Sequence, residues 1–162
     1  MDNNTRKVMF SSESMSWETP EDIFKRLDKI YNFTLDPCAD HQNHKCNKYY
    51  TEKDDGLSKS WKNEIVFMNP PYGKYIGTWI AKAWNEAKRG ATVACLIPAR
   101  TDTRWWHRYC MKASKIYFIK GRLKFGNSPN SAPFPSAVVI FNPISQYDLP
   151  MQTETMNART TR

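Results

Sequence analysis

Asn69-Pro70-Pro71-Tyr72 stands directly after the apolar run Ile65-Val66-Phe67-Met68. The run has the length and the β-branched and aromatic content of a buried strand. Two prolines then fix φ and end any ladder or helix, which makes a stiff corner with Asn69 and Tyr72 on either side of it. An exocyclic amine on a planar base or amide is a poor nucleophile, because its lone pair is delocalised. The Asn69 side-chain oxygen and the Pro70 carbonyl can each accept one N–H of such an amine. Two acceptors orient the nitrogen and stabilise the positive charge it gains on attack, an oxyanion hole with its polarity reversed. Tyr72 supplies a flat face for stacking. The competing reading is an ordinary strand-to-turn junction, since Pro-Pro alone marks a loop; the strand immediately before the motif favours the chemical one.

Other groups invite chemistry with less force. Asp36 and Asp40 flank an acidic loop after the short strand Phe33-Thr34-Leu35, where the carboxyl ends of strands in open α/β sheets bind ligands; Asp-Pro is equally a turn opener. Asp54 and Asp55 precede Gly56 and suit a turn, or ligands at a second strand end. Cys38, His41, His44 and Cys46 lie within nine residues. Zinc sites pair two short ligand motifs across a longer loop, so this spacing favours a polar surface loop over a metal site. Arg100, Arg104, His107 and Arg108 accompany Trp105 and Trp106, a mixture that suits phosphates and unstacked bases, or else a solvated face over a core.

The elements that must position these residues follow from period and punctuation. Thr19 as N-cap, Pro20 at the first helical position and Glu21 and Asp22 behind it open a helix whose apolar face is Ile23, Phe24, Leu27, Ile30 and Tyr31. Trp17 either staples that helix start or lines a pocket there; the stretch alone favours the staple. Lys48-Tyr49 is a short strand. A second helix spans 74–88 with a stripe of Ile76, Trp79, Ile80, Ala83, Trp84 and Ala87, and Gly90 stops it. Strands follow at 92–97, 116–119 and 136–141. No helix separates the last two, so they pair as an antiparallel edge. The class is α/β, a mostly parallel sheet flanked by helices with an antiparallel edge hairpin.

The chain has 162 residues, enough for one domain with a core. Residues 1–15 are expected to be a flexible arm, 16–144 one domain, and 145–162 a flexible tail. Net charge is +8, which favours a polyanionic partner. No apolar run reaches about 18 residues, so no membrane span is expected. The N-terminus shows no secretory pattern, so the four cysteines are expected to be reduced thiols in a cytoplasmic protein.

Taken in order, Trp17-x-Thr19-Pro20, Asp36-Pro37-Cys38-Ala39-Asp40, Asp54-Asp55-Gly56-Leu57-x3-Trp61, Asn69-Pro70-Pro71-Tyr72, Gly121-Arg122-Leu123-Lys124-Phe125 and Phe134-Pro135-Ser136-Ala137-Val138-Val139 resemble one family, the phage-type (Dam-like) DNA N6-adenine methyltransferases. The likeness spans residues 15 to 143. It implies a Rossmann-like class I methyltransferase fold and methyl transfer from S-adenosylmethionine to the N6 of an adenine flipped out of DNA. Asn69, Pro70, Pro71 and Tyr72 would be the catalytic corner. Phe134, with Phe125 in reserve, would cover the other face of the base, and Arg100, Arg122 and Trp105 would meet DNA. Trp17, Thr19, Pro20, Asp36, Cys38, Ala39 and Asp55 match the cofactor-side motifs, Asp36 towards the methionine portion and Asp55 towards the cofactor adenine. Direct transfer from a sulfonium implies no metal and no covalent intermediate, and no obligatory protein partner is inferred. The likeness implies a bacterial or phage-infected cell as the setting. Two departures stand out: Pro37-Cys38-Ala39-Asp40 carries no glycine where the wider class has a Gly-rich loop, and no separate target-recognition domain is visible, which leaves loops 98–108 and 121–135 to read bases. The alternatives are a methyltransferase of RNA bases or protein glutamine amides, and a non-catalytic nucleic-acid-binding module.

Overall fold

In the computed structural model, residues 17–143 and 149–160 are described; the expected arm over 1–15 lies outside them. Helix α1 (Glu21–Tyr31) leads into β1 (Leu35–Asp36) and β2 (Lys48–Tyr49). A 3-10 turn (Gly56–Ser58) and β3 (Ile65–Met68) follow, then α2 (Ile76–Lys88), β4 (Thr92–Pro98), the short α3 (Arg104–Arg108), β5 (Lys115–Lys120), β6 (Ser136–Phe141) and β7 (Gln152–Asn157). The strands form one sheet in the order β2-β1-β3-β4-β6-β5-β7. Every ladder is parallel except the two made by β6, which runs antiparallel to β4 and β5. This mixed sheet with helices on both faces is consistent with a Rossmann-like methyltransferase fold.

Period 2 sorts the strands between the two helical layers. Val66 and Met68 of β3, Val93, Cys95 and Ile97 of β4, and Ala137, Val139 and Phe141 of β6 pack with Trp79, Ile80 and Ala83 of α2. The alternate residues Phe67, Ala94, Leu96, Val138 and Ile140 pack with Ile23, Phe24 and Leu27 of α1. Being covered on both sides, β4 reads as the near-continuous apolar run Val93–Ile97. Full burial of Ile23 and Leu27 contributes about 1.5–3 kcal/mol each to holding α1 in place. Ile30, expected on the same face, is 56% exposed, while its neighbour Tyr31 turns to the sheet and its hydroxyl meets that of Tyr117 at 2.9 Å.

Two expectations are corrected. The stretch 145–162 is not all tail: residues 152–157 form β7, which pairs in parallel with the whole of β5. The antiparallel pair β5–β6 is present but is not the edge, since β6 lies inside the sheet and β7 takes the outer position.

The six strands β1, β2, β3, β4, β5 and β7 run in one direction, and β6 runs back from the same side. The carboxyl ends of the former and the start of the latter therefore share one rim. Asp36, Asn69, Pro98, Gly121, Ser136 and Ala158 all lie on it.

Candidate active site

β3 delivers Asn69 to the rim, and Pro70 is buried behind it. The Asn69 Nδ2 donates to the Trp17 carbonyl at 2.6 Å and to the Thr19 hydroxyl at 3.0 Å. A carbonyl only accepts, so the contact with Trp17 sets which end of the amide is nitrogen. The Asn69 Oδ1 is left buried with no hydrogen-bond partner among the described residues. An orphaned buried acceptor costs about 1–3 kcal/mol, and such atoms in native structures usually wait for something. Here the missing partner is an N–H donor.

Thr19 was expected to cap α1. Instead Pro20 takes the cap position, its carbonyl accepting the first helical N–H from Phe24 at 3.1 Å, and no side chain caps the helix. The Thr19 hydroxyl is turned to Asn69. Trp17 is not a simple staple either. It packs 6.1 Å from Tyr72 at an interplanar angle of 27°, and meets Phe125 at 5.2 Å and Phe134 at 4.9 Å. Phe134 and Phe125 lie 5.7 and 6.1 Å from Tyr72, both nearly edge-on. The four rings thus close on one another beside Asn69, with Trp17 the ring nearest to parallel with Tyr72. The Tyr72 hydroxyl donates to the Leu96 carbonyl at 3.1 Å, which anchors the ring to β4. Burial pushes its pKa well above the ordinary phenol value, so it stays neutral.

The guanidinium of Arg100 lies 6.0 Å from the Phe134 ring centroid. The loops that carry the two are tied by the Ala99 N–H donating to the Pro135 carbonyl at 2.9 Å. Arg122 donates to the Ala132 carbonyl at 3.4 Å. Trp105 is not brought to the rings: it packs in the α2 layer, where a Cβ on Gly77 would touch it at 3.4 Å.

The remaining residues matched to a cofactor gather at the ends of β1 and β2. Asp36 is buried, its Oδ1 accepting the Cys38 N–H at 3.2 Å and its Oδ2 the Lys45 N–H at 2.9 Å. Desolvation raises its pKa to about 6, against the lowering pull of those two N–H groups and of Lys45 and His44. A carboxylate has about four lone-pair sites, so Asp36 can shape the 37–45 loop and still accept from an ammonium or hydroxyl. The Ala39 N–H donates to the Tyr50 carbonyl at 3.0 Å. Asp55 adopts a left-handed φ of 58° to enter the 3-10 turn. That turn crosses the Asp36-Pro37 loop so closely that a Cβ on Gly56 would lie 2.4 Å from the Pro37 carbonyl oxygen. The Trp61 indole N–H fastens it by donating to the Gly56 carbonyl at 3.0 Å. The acidic loop, the Asp55 turn and the Thr19–Asn69 contact so meet along neighbouring strand ends, a donor and acceptor set that fits an amino-acid nucleoside.

Burial raises the pKa of each of the four thiols, Cys46 and Cys110 to about 12, so none is a thiolate at neutral pH. His44 stacks on Tyr49 at 4.1 Å and bonds the Cys46 carbonyl through Nδ1 at 2.9 Å, and His41 Nδ1 meets the Tyr49 hydroxyl at 3.0 Å. No group of three or more His, Cys, Asp or Glu side chains among the described residues is placed to hold a metal, and none of their helices is long and apolar enough to cross a membrane.

A family model described as DNA N-6-adenine-methyltransferase (Dam) matches residues 7–159. The chain is similar to the DNA N-6-adenine-methyltransferase of Escherichia phage T1, 29% identical over 109 residues, with 66% of this chain and 45% of that protein covered. It is 26% identical over 153 residues to the DNA N-6-adenine-methyltransferase of Haemophilus phage HP1 (strain HP1c1), with 89% and 86% covered. A putative methyltransferase, YfdM of Escherichia coli (strain K12), is 36% identical over 63 residues, with 35% and 69% covered. The chain thus spans less than half the length of the phage T1 protein and most of that of the phage HP1 protein.

Proposed function

The chain belongs to the DNA N-6-adenine-methyltransferase (Dam) family, and from that premise we propose that it methylates the N6 of adenine in DNA, with S-adenosylmethionine as donor and the target base turned out of the duplex. The observation that carries this reading is the buried, unpartnered Oδ1 of Asn69 beside a cluster of aromatic rings. An acceptor held without a donor is what an incoming exocyclic amine requires.

S-adenosylmethionine supplies an electrophilic methyl group on a sulfonium. The protein's part is position and charge. Asn69 Oδ1 accepts one N6–H and the Pro70 carbonyl the other, so the nitrogen's lone pair is turned out of conjugation towards the methyl. Both oxygens stabilise the nitrogen as it becomes cationic, and neither needs to move to do so. Trp17 and Thr19 keep the amide from flipping. Tyr72, neutral and tied to β4, carries the base face. Trp17 covers that face in this structure, so base entry displaces its ring, and Phe134, backed by Arg100, closes from the other side. Asp36, Cys38, Ala39 and Asp55 line the donor's side of the rim. Within the described residues, base reading falls to the loops around Arg100 and Arg122.

The test is incubation with methyl-labelled S-adenosylmethionine and unmethylated DNA, followed by nucleoside analysis. Label in N6-methyladenine is expected. Label only in RNA bases or protein amides overturns the substrate, and no transfer to any of them overturns the activity.

A further inference from the structure

Beside the aromatic rings lies a second feature that methyl transfer does not use. A cavity of about 300 Å³ opens between the start of α1, the strand-like segment after β5 and the residues after β7, lined by Pro20, Asp22, Arg122, Lys124, Arg159 and Thr160 among others. Leu123 and Phe125 are 1% exposed, Phe125 among the rings, and Arg122 and Lys124, which alternate with them, are exposed and line the cavity. Arg159 arrives from the other wall. Its segment is pinned on both sides, by Arg26 donating to the Asn157 carbonyl at 2.7 Å and by the Thr160 hydroxyl donating to Asp22.

The charges here do not cancel. Asp22 is the carboxylate of the cavity, and it is engaged by Thr160 and by Arg26 at 2.9 Å. None of Arg122, Lys124 and Arg159 meets a carboxylate among the described residues. Three cations around a small opening, held by backbone that also carries Phe125, are a receptor for a compact anion, and their nearness to the rings says which anion. We propose that this cavity takes a backbone phosphodiester of the DNA next to the flipped adenosine, with Arg159 and Lys124 as its principal ligands. The inference rests on the DNA reading above. It gives β7 a purpose, since pairing with β5 is what carries Arg159 to the rim. A phosphate held there fixes the strand on the side of the rings from which the nucleotide swings, positioning it without reading sequence.

The test is the salt dependence of binding to a fluorescent mixed-sequence DNA duplex in phosphate-free buffer, for wild type and for the double variant Lys124→Gln/Arg159→Gln. Both side chains are exposed, and thermal melting checks that the fold persists. Lys88→Gln/Lys112→Gln serves as a charge-matched control, because α2 and the segment before β5 carry those lysines to the opposite end of the strands. Loss of one phosphate contact lowers the slope of log K against log salt by about 0.9, so between 50 and 200 mM salt the variant loses about 3.5-fold less affinity than wild type. The control pair is expected to keep the wild-type slope. An unchanged slope in the test pair, or an equal change in the control pair, overturns the phosphate site. N6-methyladenine formation is measured in parallel. Methylation with an unchanged slope removes this site and leaves the activity standing, whereas a changed slope without any methylation by the wild type removes the activity and leaves a phosphate site.

Discussion

Replacing Asn69 by alanine should separate activity from stability. Alanine removes the two hydrogen bonds that Nδ2 makes to Trp17 and Thr19. Each is worth about 0.5–1.5 kcal/mol net. The same change deletes the buried, unpartnered Oδ1, which relieves about 1–3 kcal/mol. The two effects nearly cancel, so the unfolding free energy should shift by no more than about 1 kcal/mol. The transition state, by contrast, loses a pre-aimed acceptor at the atom where positive charge develops. By analogy with removing one oxyanion-hole donor, that costs about 2.7–4 kcal/mol, or about 10²–10³-fold in kcat. The assay is single-turnover methyl transfer at saturating S-adenosylmethionine, with urea unfolding of the same preparations. A variant that retains more than a tenth of wild-type activity, or whose activity falls only in step with its folded fraction, would refute the reasoning.

Tyr72→Phe should keep the ring and lose the bond to Leu96, reducing stability by about 0.5–1.5 kcal/mol with near-wild-type transfer, whereas Tyr72→Ala should also lose about 1–3 kcal/mol of base stacking; DNA binding and transfer rates of the pair check this. Gly56→Ala forces a Cβ to 2.4 Å from the Pro37 oxygen, so the turn and the acidic loop must part, costing about 1–3 kcal/mol and weakening S-adenosylmethionine binding as seen by calorimetry. Asp36 holds its proton more tightly folded, with a pKa of about 6, than unfolded, with the ordinary aspartate value of 3.8. Between those values the native state binds more protons, so this group's contribution to stability falls as pH rises from about 4 to 6, by at most about 3 kcal/mol, and is constant outside that window. Urea unfolding of wild type against Asp36→Asn across pH 4–7 should show that difference; a difference that rises with pH would contradict it.

The elements whose signal is local were legible in the sequence. The strand before Asn69 is an apolar run ended by two prolines, and α1 and α2 follow a helical period that their buried faces bear out. Elements defined by a distant partner were not. β7 is Gln-Thr-Glu-Thr-Met-Asn, exposed along nearly its whole length, and its existence depends on the backbone of β5 rather than on any apolar pattern. Thr19 has the chemistry of a helix cap, and nothing near it in sequence shows that its hydroxyl is claimed by Asn69, fifty residues on. The resemblance in Trp17-x-Thr19-Pro20 pointed Thr19 towards a cofactor and gave no sign of the contact with Asn69. Trp105 and Trp17 show the same limit from both sides: each is a tryptophan near a helix start, yet one packs under α2 and the other joins Tyr72.

The most direct test of the central claim is a structure of the protein with a duplex containing its methylation site and a non-reactive analogue of S-adenosylmethionine. An adenine outside the helix is expected, its N6 about 2.7–3.2 Å from Asn69 Oδ1 and its face on Tyr72, with the Trp17 ring displaced. An adenine still stacked in the duplex, or an extruded base whose N6 faces away from Asn69, would contradict it.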